Sequence, residues 1–78
     1  MPVREFSADV PAWAKRVASA IYVARLRAGL TQAELAQRAG VRQATVSQAE
    51  NDPSAMRLAT LERILSALQL TLTPVQAL

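Results

Sequence analysis

Apolar residues recur along most of this chain at helical spacing, and near its end at the spacing of a strand. Trp13, Val17, Ala20, Ile21 and Ala24 fall at i, i+4, i+7, i+8 and i+11, which predicts an amphipathic helix of about four turns. Lys15, Arg16 and Ser19 lie on its other face. Asp9 is placed to cap its start, Pro11 is tolerated in a first turn, and Gly29 supplies its stop, with Arg25 and Arg27 near the negative end of the helix dipole. Thr31 and Glu34 have the spacing of a capping box, so a second helix opens at Thr31, runs through Leu35, Ala36 and Ala39, and ends at Gly40. A third helix is predicted from about Gln43 to Glu50. Asn51-Asp52-Pro53-Ser54 reads as a turn, because Pro53 disfavours helix at the residue before it. Leu58, Leu61, Leu65 and Leu68, with Ile64 beside them, predict a fourth helix over roughly Leu58 to Leu68 with no evident cap.

At Leu68 the period changes. Leu68, Leu70 and Leu72 alternate with Gln69, Thr71 and Thr73, which is strand patterning, and no other segment shares it. A lone strand leaves its backbone groups unpaired. Pairing with a second copy across a two-fold axis satisfies them, so Leu68, Leu70 and Leu72 are the expected dimerisation residues, with Pro74 ending the ladder. Composition supports this. A chain of 78 residues, 51% of them hydrophobic, buries only about 60 to 65% of its unfolded surface, so part of the apolar excess is expected in an interface between copies.

Composition also excludes several kinds of chemistry. There is no Cys and no His, which removes disulfides, thiol nucleophiles, imidazole bases and the usual zinc ligands together. The six carboxylates form no recognisable catalytic pair, so no enzyme activity, metal or cofactor is expected. The net charge is +3, and all cationic residues but Lys15 are Arg, whose planar fork suits phosphate and guanine; an ordinary solvated basic surface has the same balance. No apolar run approaches the roughly 20 residues of a membrane span, and the N-terminus lacks the apolar segment of a signal peptide. A cytoplasmic protein is therefore expected.

The second and third helices carry the strongest pattern. Two short helices joined by a tight turn need a residue that tolerates positive φ, and Gly40 supplies it. They need a small residue at their crossing, which is Ala36, and apolar anchors, which are Leu35, Ala39, Val41, Val46 and Ala49. This is the spacing of a helix-turn-helix. The chain then divides into an arm (1–8), a helix-turn-helix domain (9–69) and a dimerisation strand with its tail (70–78). With Val46 turned inward, a rotation of about 100° per residue turns Ala44 and Gln48 outward, with Asn51 close by and Thr45 and Ser47 flanking. Gln43 lies nearer the inward side but at the N-terminal end, the end that meets base edges in this motif. Gln43 and Gln48 are thus candidate base readers, since Gln pairs bidentately with adenine, and Ala44 suits a thymine methyl. Ser47 joins this base-contacting set. Arg42 fits either guanine or phosphate. Gln32 in the first turn of the second helix suits a phosphate oxygen, and Arg38, Thr45 and Asn51 are further phosphate candidates. A polar solvated helix face is the alternative for each of these side chains.

The stretch LTQAELAQRAGVRQATVSQAEN resembles the Xre or phage-repressor helix-turn-helix family over about residues 17 to 68. That resemblance implies an all-α, lambda-repressor-like domain of four to five helices. It also implies that Gln32 contacts phosphate and helps orient Gln43, and that Arg25 and Glu50 form a buried ion pair. VRQATVSQAENDPSAMRLATLERILSALQLTLT is similar to the HipB-like antitoxins, including Asn-x-Pro after the recognition helix and the Leu-x-Leu-x-Thr ending. The resemblance to this subfamily implies that the last strand pairs between subunits, that the protein represses its own operon, and that it binds a HipA-like serine/threonine kinase toxin. The sequence stops at Leu78 with almost no tail beyond the strand, so no role of a longer tail is carried over.

Three functions remain in view. The first is a homodimeric operator-binding autorepressor that is also an antitoxin. The second is a stand-alone repressor with no toxin partner, separated from the first by whether a kinase gene lies alongside. The third is a protein-interaction module that has lost DNA binding, against which the polar outer face of the third helix argues.

Overall fold

The computed structural model describes residues 5–71. They form α1 (Ala12–Arg27), α2 (Gln32–Ala39), α3 (Gln43–Asn51), a 3₁₀ turn (Pro53–Ala55) and α4 (Leu58–Ala67). There is no strand among the described residues, and Leu72, with the rest of the expected ribbon, lies outside them.

The start of α1 differs from expectation. Pro11, extended at φ −61° and ψ 151°, holds the cap position and no side chain caps the helix. Asp9 instead lies in a preceding turn, where the Val10 N–H donates to the Ser7 carbonyl at 3.1 Å. Proline disfavours helical geometry in the residue before it, so the helix starts behind Pro11 and Asp9 is too far back to cap it. The buried stripe is also rotated by about one residue, to Ala14, Ala18, Ile21 and Arg25. Trp13 is 50% exposed. Two alanines let α1 lie close against its neighbours, α3 and the 3₁₀ turn, and Arg25 joins the stripe because its charge is paired there. A count of large apolar residues registers neither effect.

Three helices end in the same device. After α1 the Gly29 N–H donates to the Leu26 carbonyl and the Leu30 N–H to the Arg25 carbonyl. After α2, Gly40 donates to Gln37 and Val41 to Ala36; after α4, Gln69 donates to Ser66 and Leu70 to Leu65. These are Schellman closures, each needing one residue in the left-handed region. Gly29, Gly40 and Gln69 occupy it at φ 71°, 70° and 58°. The residue that follows is turned back inward: Leu30 is buried, and Val41 and Leu70 pack against the core. Leu68 thus caps the end of α4. The Leu68–Leu70 alternation is produced here by the left-handed turn at Gln69. Gln69→Gly is expected to raise stability by about 1 kcal/mol and Gly40→Ala to lower it by a similar amount. The second effect comes from φ alone, since a Cβ on Gly40 meets nothing within 4 Å. Urea unfolding of both variants checks this, and a neutral Gly40→Ala would contradict the left-handed ending of α2.

Ile21, Leu35, Val46 and Ile64 are wholly buried at the centre of the core, with Leu30, Ala36, Ala39, Ala49, Leu61 and Leu65 around them. Each large side chain contributes about 1.5 to 3 kcal/mol through burial. Leu58, counted in the predicted stripe, is 57% exposed. It sits at the first position of α4. The expected turn at Asn51 to Ser54 is present. The Asp52 carboxylate accepts from the Ser54 hydroxyl at 2.5 Å and its backbone N–H at 3.0 Å, which holds that carboxyl below the usual carboxylate range.

Candidate nucleic-acid interface

The geometry of α2 and α3 follows from local chemistry at their ends. Thr31 and Glu34 close the capping box: the Thr31 hydroxyl accepts from the Glu34 N–H at 3.0 Å, and the Glu34 carboxylate accepts from the Thr31 N–H at 2.9 Å. The Thr31 backbone N–H, then its hydroxyl, hold the Glu34 carboxyl below its ordinary range. The left-handed Gly40 turns the chain, Val41 packs on the core, and Arg42 in extended geometry starts α3. Val46 and Ala49, both wholly buried, face α3 inward.

This orientation leaves Arg42, Gln43, Ala44 and Gln48 exposed, with Thr45 and Ser47 half-buried on the flanks. Of the base-contacting candidates, four are therefore exposed and Ser47 is half-buried. Gln32 is half-buried at the start of α2. Two phosphate candidates are placed differently. Arg38, near the far end of α2, lines a groove against α4 with Glu62 and Arg63. Asn51 shares a small recess with Glu5, Asp9 and Asp52, acidic surroundings that oppose an anion. One of its amide hydrogens is donated to the Ser47 carbonyl at 2.8 Å.

Behind this face Arg25 and Glu50 form the expected ion pair, both side chains nearly sealed from solvent. The Arg25 Nε donates to Glu50 Oε2 at 2.5 Å and Nη2 to Oε1 at 3.0 Å, a bidentate fork. Nη1 donates to the Leu30 carbonyl at 2.9 Å, which ties down the connector between α1 and α2. The bond to Glu50 raises the Arg25 pKa above its ordinary value, against the opposing effect of burial. Two contacts of this cluster escaped the sequence reading. Tyr22 lies with its ring 5.5 Å from the Arg25 guanidinium carbon, and its spacing of three residues from Arg25 on one helix was a usable signal. Gln32 donates from Nε2 to Glu50 Oε1 at 3.3 Å, a link between α2 and α3 that no local spacing announces.

A second surface is apolar. Ala20, Val23 and Ala24 on the outer side of α1 meet Leu68 and Leu70, between Arg16 and Arg27, in an open groove.

These features define a helix-turn-helix protein with a polar recognition helix. The helix-turn-helix family matches residues 21–75, and the chain belongs to that family, in its Xre-type branch. It is similar to antitoxin HipB of Escherichia coli, at 41% identity over 58 residues, covering 74% of this chain and 66% of HipB. It is also similar to antitoxin HigA1 of Mycobacterium tuberculosis, at 46% identity over 55 residues, covering 70% of this chain and 37% of HigA1. The chain thus spans just under two thirds of the one relative and little over a third of the other. Among solved structures, a HipA–HipB–O2–O3 complex contains a chain with TM-score 0.74 and 33% identity, matched over 97% of this chain and 99% of that one. The all-α helix-turn-helix fold is shared with it. No described helix is long and apolar enough to cross a membrane.

Proposed function

We propose that this protein is a sequence-specific operator-binding autorepressor and the antitoxin of a HipBA-like module, acting in the cytoplasm as a homodimer that also binds a HipA-like kinase toxin. The observation that carries DNA binding is the polar outward face of α3 set beside the capped N-terminus of α2. Related solved structures include a HipA–HipB–O2–O3 complex and a HipB–O2 20mer complex. That likeness supports the antitoxin part.

In this reading the N-terminal turn of α3 enters the major groove. Gln43 and Gln48 read base edges, Ala44 meets a methyl group, Ser47 flanks them, and Arg42 reaches guanine or phosphate. Gln32 and the free N–H groups of the first turn of α2 hold a phosphate, with Thr45 beside them. Arg38 and Asn51 take a smaller part, given where they lie. The apolar α1 groove with Leu68 and Leu70 faces the second copy, which sets two recognition helices about 34 Å apart, one DNA turn.

Gln43→Ala is expected to cost about 1 to 3 kcal/mol of operator binding and to relax specificity at one base pair. Titration of the variant against single-base-pair substitutions in the DNA upstream of its own operon tests this. An unchanged operator preference would remove the assigned role. Failure of a kinase to co-purify with the tagged protein from its own host, where a HipA-like gene lies alongside, would remove the antitoxin part and leave the repressor.

A further inference from the structure

The carboxylate of Glu50 does more than neutralise Arg25. Its Oε1 accepts from the Arg25 Nη2 at 3.0 Å and also from the Gln32 Nε2 at 3.3 Å. A carboxylate only accepts, so the amide nitrogen of Gln32 must face it and the amide oxygen must face away. The carboxylate itself has no freedom to wander. It is 3% exposed, it is gripped by both prongs of Arg25, and Arg25 is anchored in turn to the Leu30 carbonyl. Gln32 is otherwise a long, half-buried side chain at a helix start, with several rotatable bonds to fix before it makes any productive contact.

The geometry points to Glu50 as a positioning residue for DNA binding. It holds the Gln32 carboxamide in one orientation, so that the second amide hydrogen is presented, together with the backbone N–H groups of the α2 N-terminus, to one DNA phosphate. This rests on the phosphate role proposed above for Gln32. It adds that the buried ion pair serves recognition as well as the fold. The order of the chain is Leu30 carbonyl, Arg25, Glu50, Gln32, phosphate, each link a hydrogen bond in which the guanidinium or amide donates.

The test is a double-mutant cycle on operator binding. Arg25→Met with Glu50→Met removes both buried charges together, a change a folded interior tolerates far better than loss of one partner. Thermal melting confirms that this background is folded; if it is not, Arg25→Leu with Glu50→Leu, which also removes both charges together, takes its place. In the wild-type background, Gln32→Ala is expected to weaken binding about tenfold. In the background without the Glu50 carboxylate, binding is already weaker, and Gln32→Ala is expected to change affinity by less than about twofold. A merely structural role for Glu50 predicts the same fold loss from Gln32→Ala in both backgrounds. Equal losses from Gln32→Ala in both backgrounds would overturn the proposal and leave the phosphate role of Gln32 standing. No loss from Gln32→Ala in the wild-type background would overturn both.

Discussion

Glu50→Ala is expected to cost about 3 to 5 kcal/mol of folding stability. The reason is asymmetric. Arg25 is 9% exposed, and with Glu50 gone its guanidinium keeps the Leu30 carbonyl but loses the carboxylate that neutralised it. A charge in that position must either remain unpaired in a poorly hydrated site or drag water inward. Small domains have only about 5 to 15 kcal/mol in hand, so this one substitution removes a large share. Removing both charges, by Arg25→Met with Glu50→Met, is expected to be close to neutral. Chemical unfolding of the two variants side by side is the check. Equal costs for the single and the double change would mean that lost packing, and not the uncompensated charge, dominates.

Val23→Asp is expected to weaken operator binding about a hundredfold or more while leaving the protomer folded. Val23 is half-buried in the open groove between the outer face of α1 and the Leu68–Leu70 corner, outside the central core. A carboxylate placed there costs little in a monomer, where water reaches it. It becomes expensive when a second copy covers the groove. Two recognition helices joined in one dimer exceed the affinity of one alone by about 10² to 10⁴, and that factor is what dissociation removes. Sedimentation at micromolar concentration, with operator titration on the same sample, separates the outcomes. Wild-type dimerisation by the variant would place the interface elsewhere.

Most of the fold was legible because it follows from short-range rules. The capping box of Thr31 and Glu34, the stop at Gly40 and the turn at Asp52-Pro53 are decided by residues within a few positions of one another. The errors arose where a position is decided by something distant. Spacing alone reads Arg25 as a cation near a helix end; its pairing with Glu50, 25 residues away, was expected from the family resemblance and not from any local pattern. Recognising it as buried shifts the whole stripe of α1 and exposes Trp13 and Ala20. Gln69 carries no sign that it will adopt a left-handed conformation, because in most sequences that place is held by Gly. The left-handed turn at Gln69 was therefore not read, and the strand expected from the alternating leucines lies largely outside the described residues. For the site, the outward face of α3 was given by rotation from Val46 alone. The coupling of Gln32 to Glu50 depends on how α2 and α3 cross, which no spacing within either helix specifies.

The three left-handed helix endings bear on how the protein is destroyed as well as on how it folds. A protease needs several consecutive residues in an extended, accessible backbone. Between α1 and α4 the connectors are Ala28 to Thr31, Gly40 to Arg42, and the segment around the 3₁₀ turn. In the first two, the backbone N–H groups just past the helix are already bonded to its last turn. Cutting there requires the helix end to open first, so loop access offers no shortcut. The lifetime of this region against proteolysis should then follow its opening equilibrium, and any partner that binds only the folded form slows its degradation in proportion.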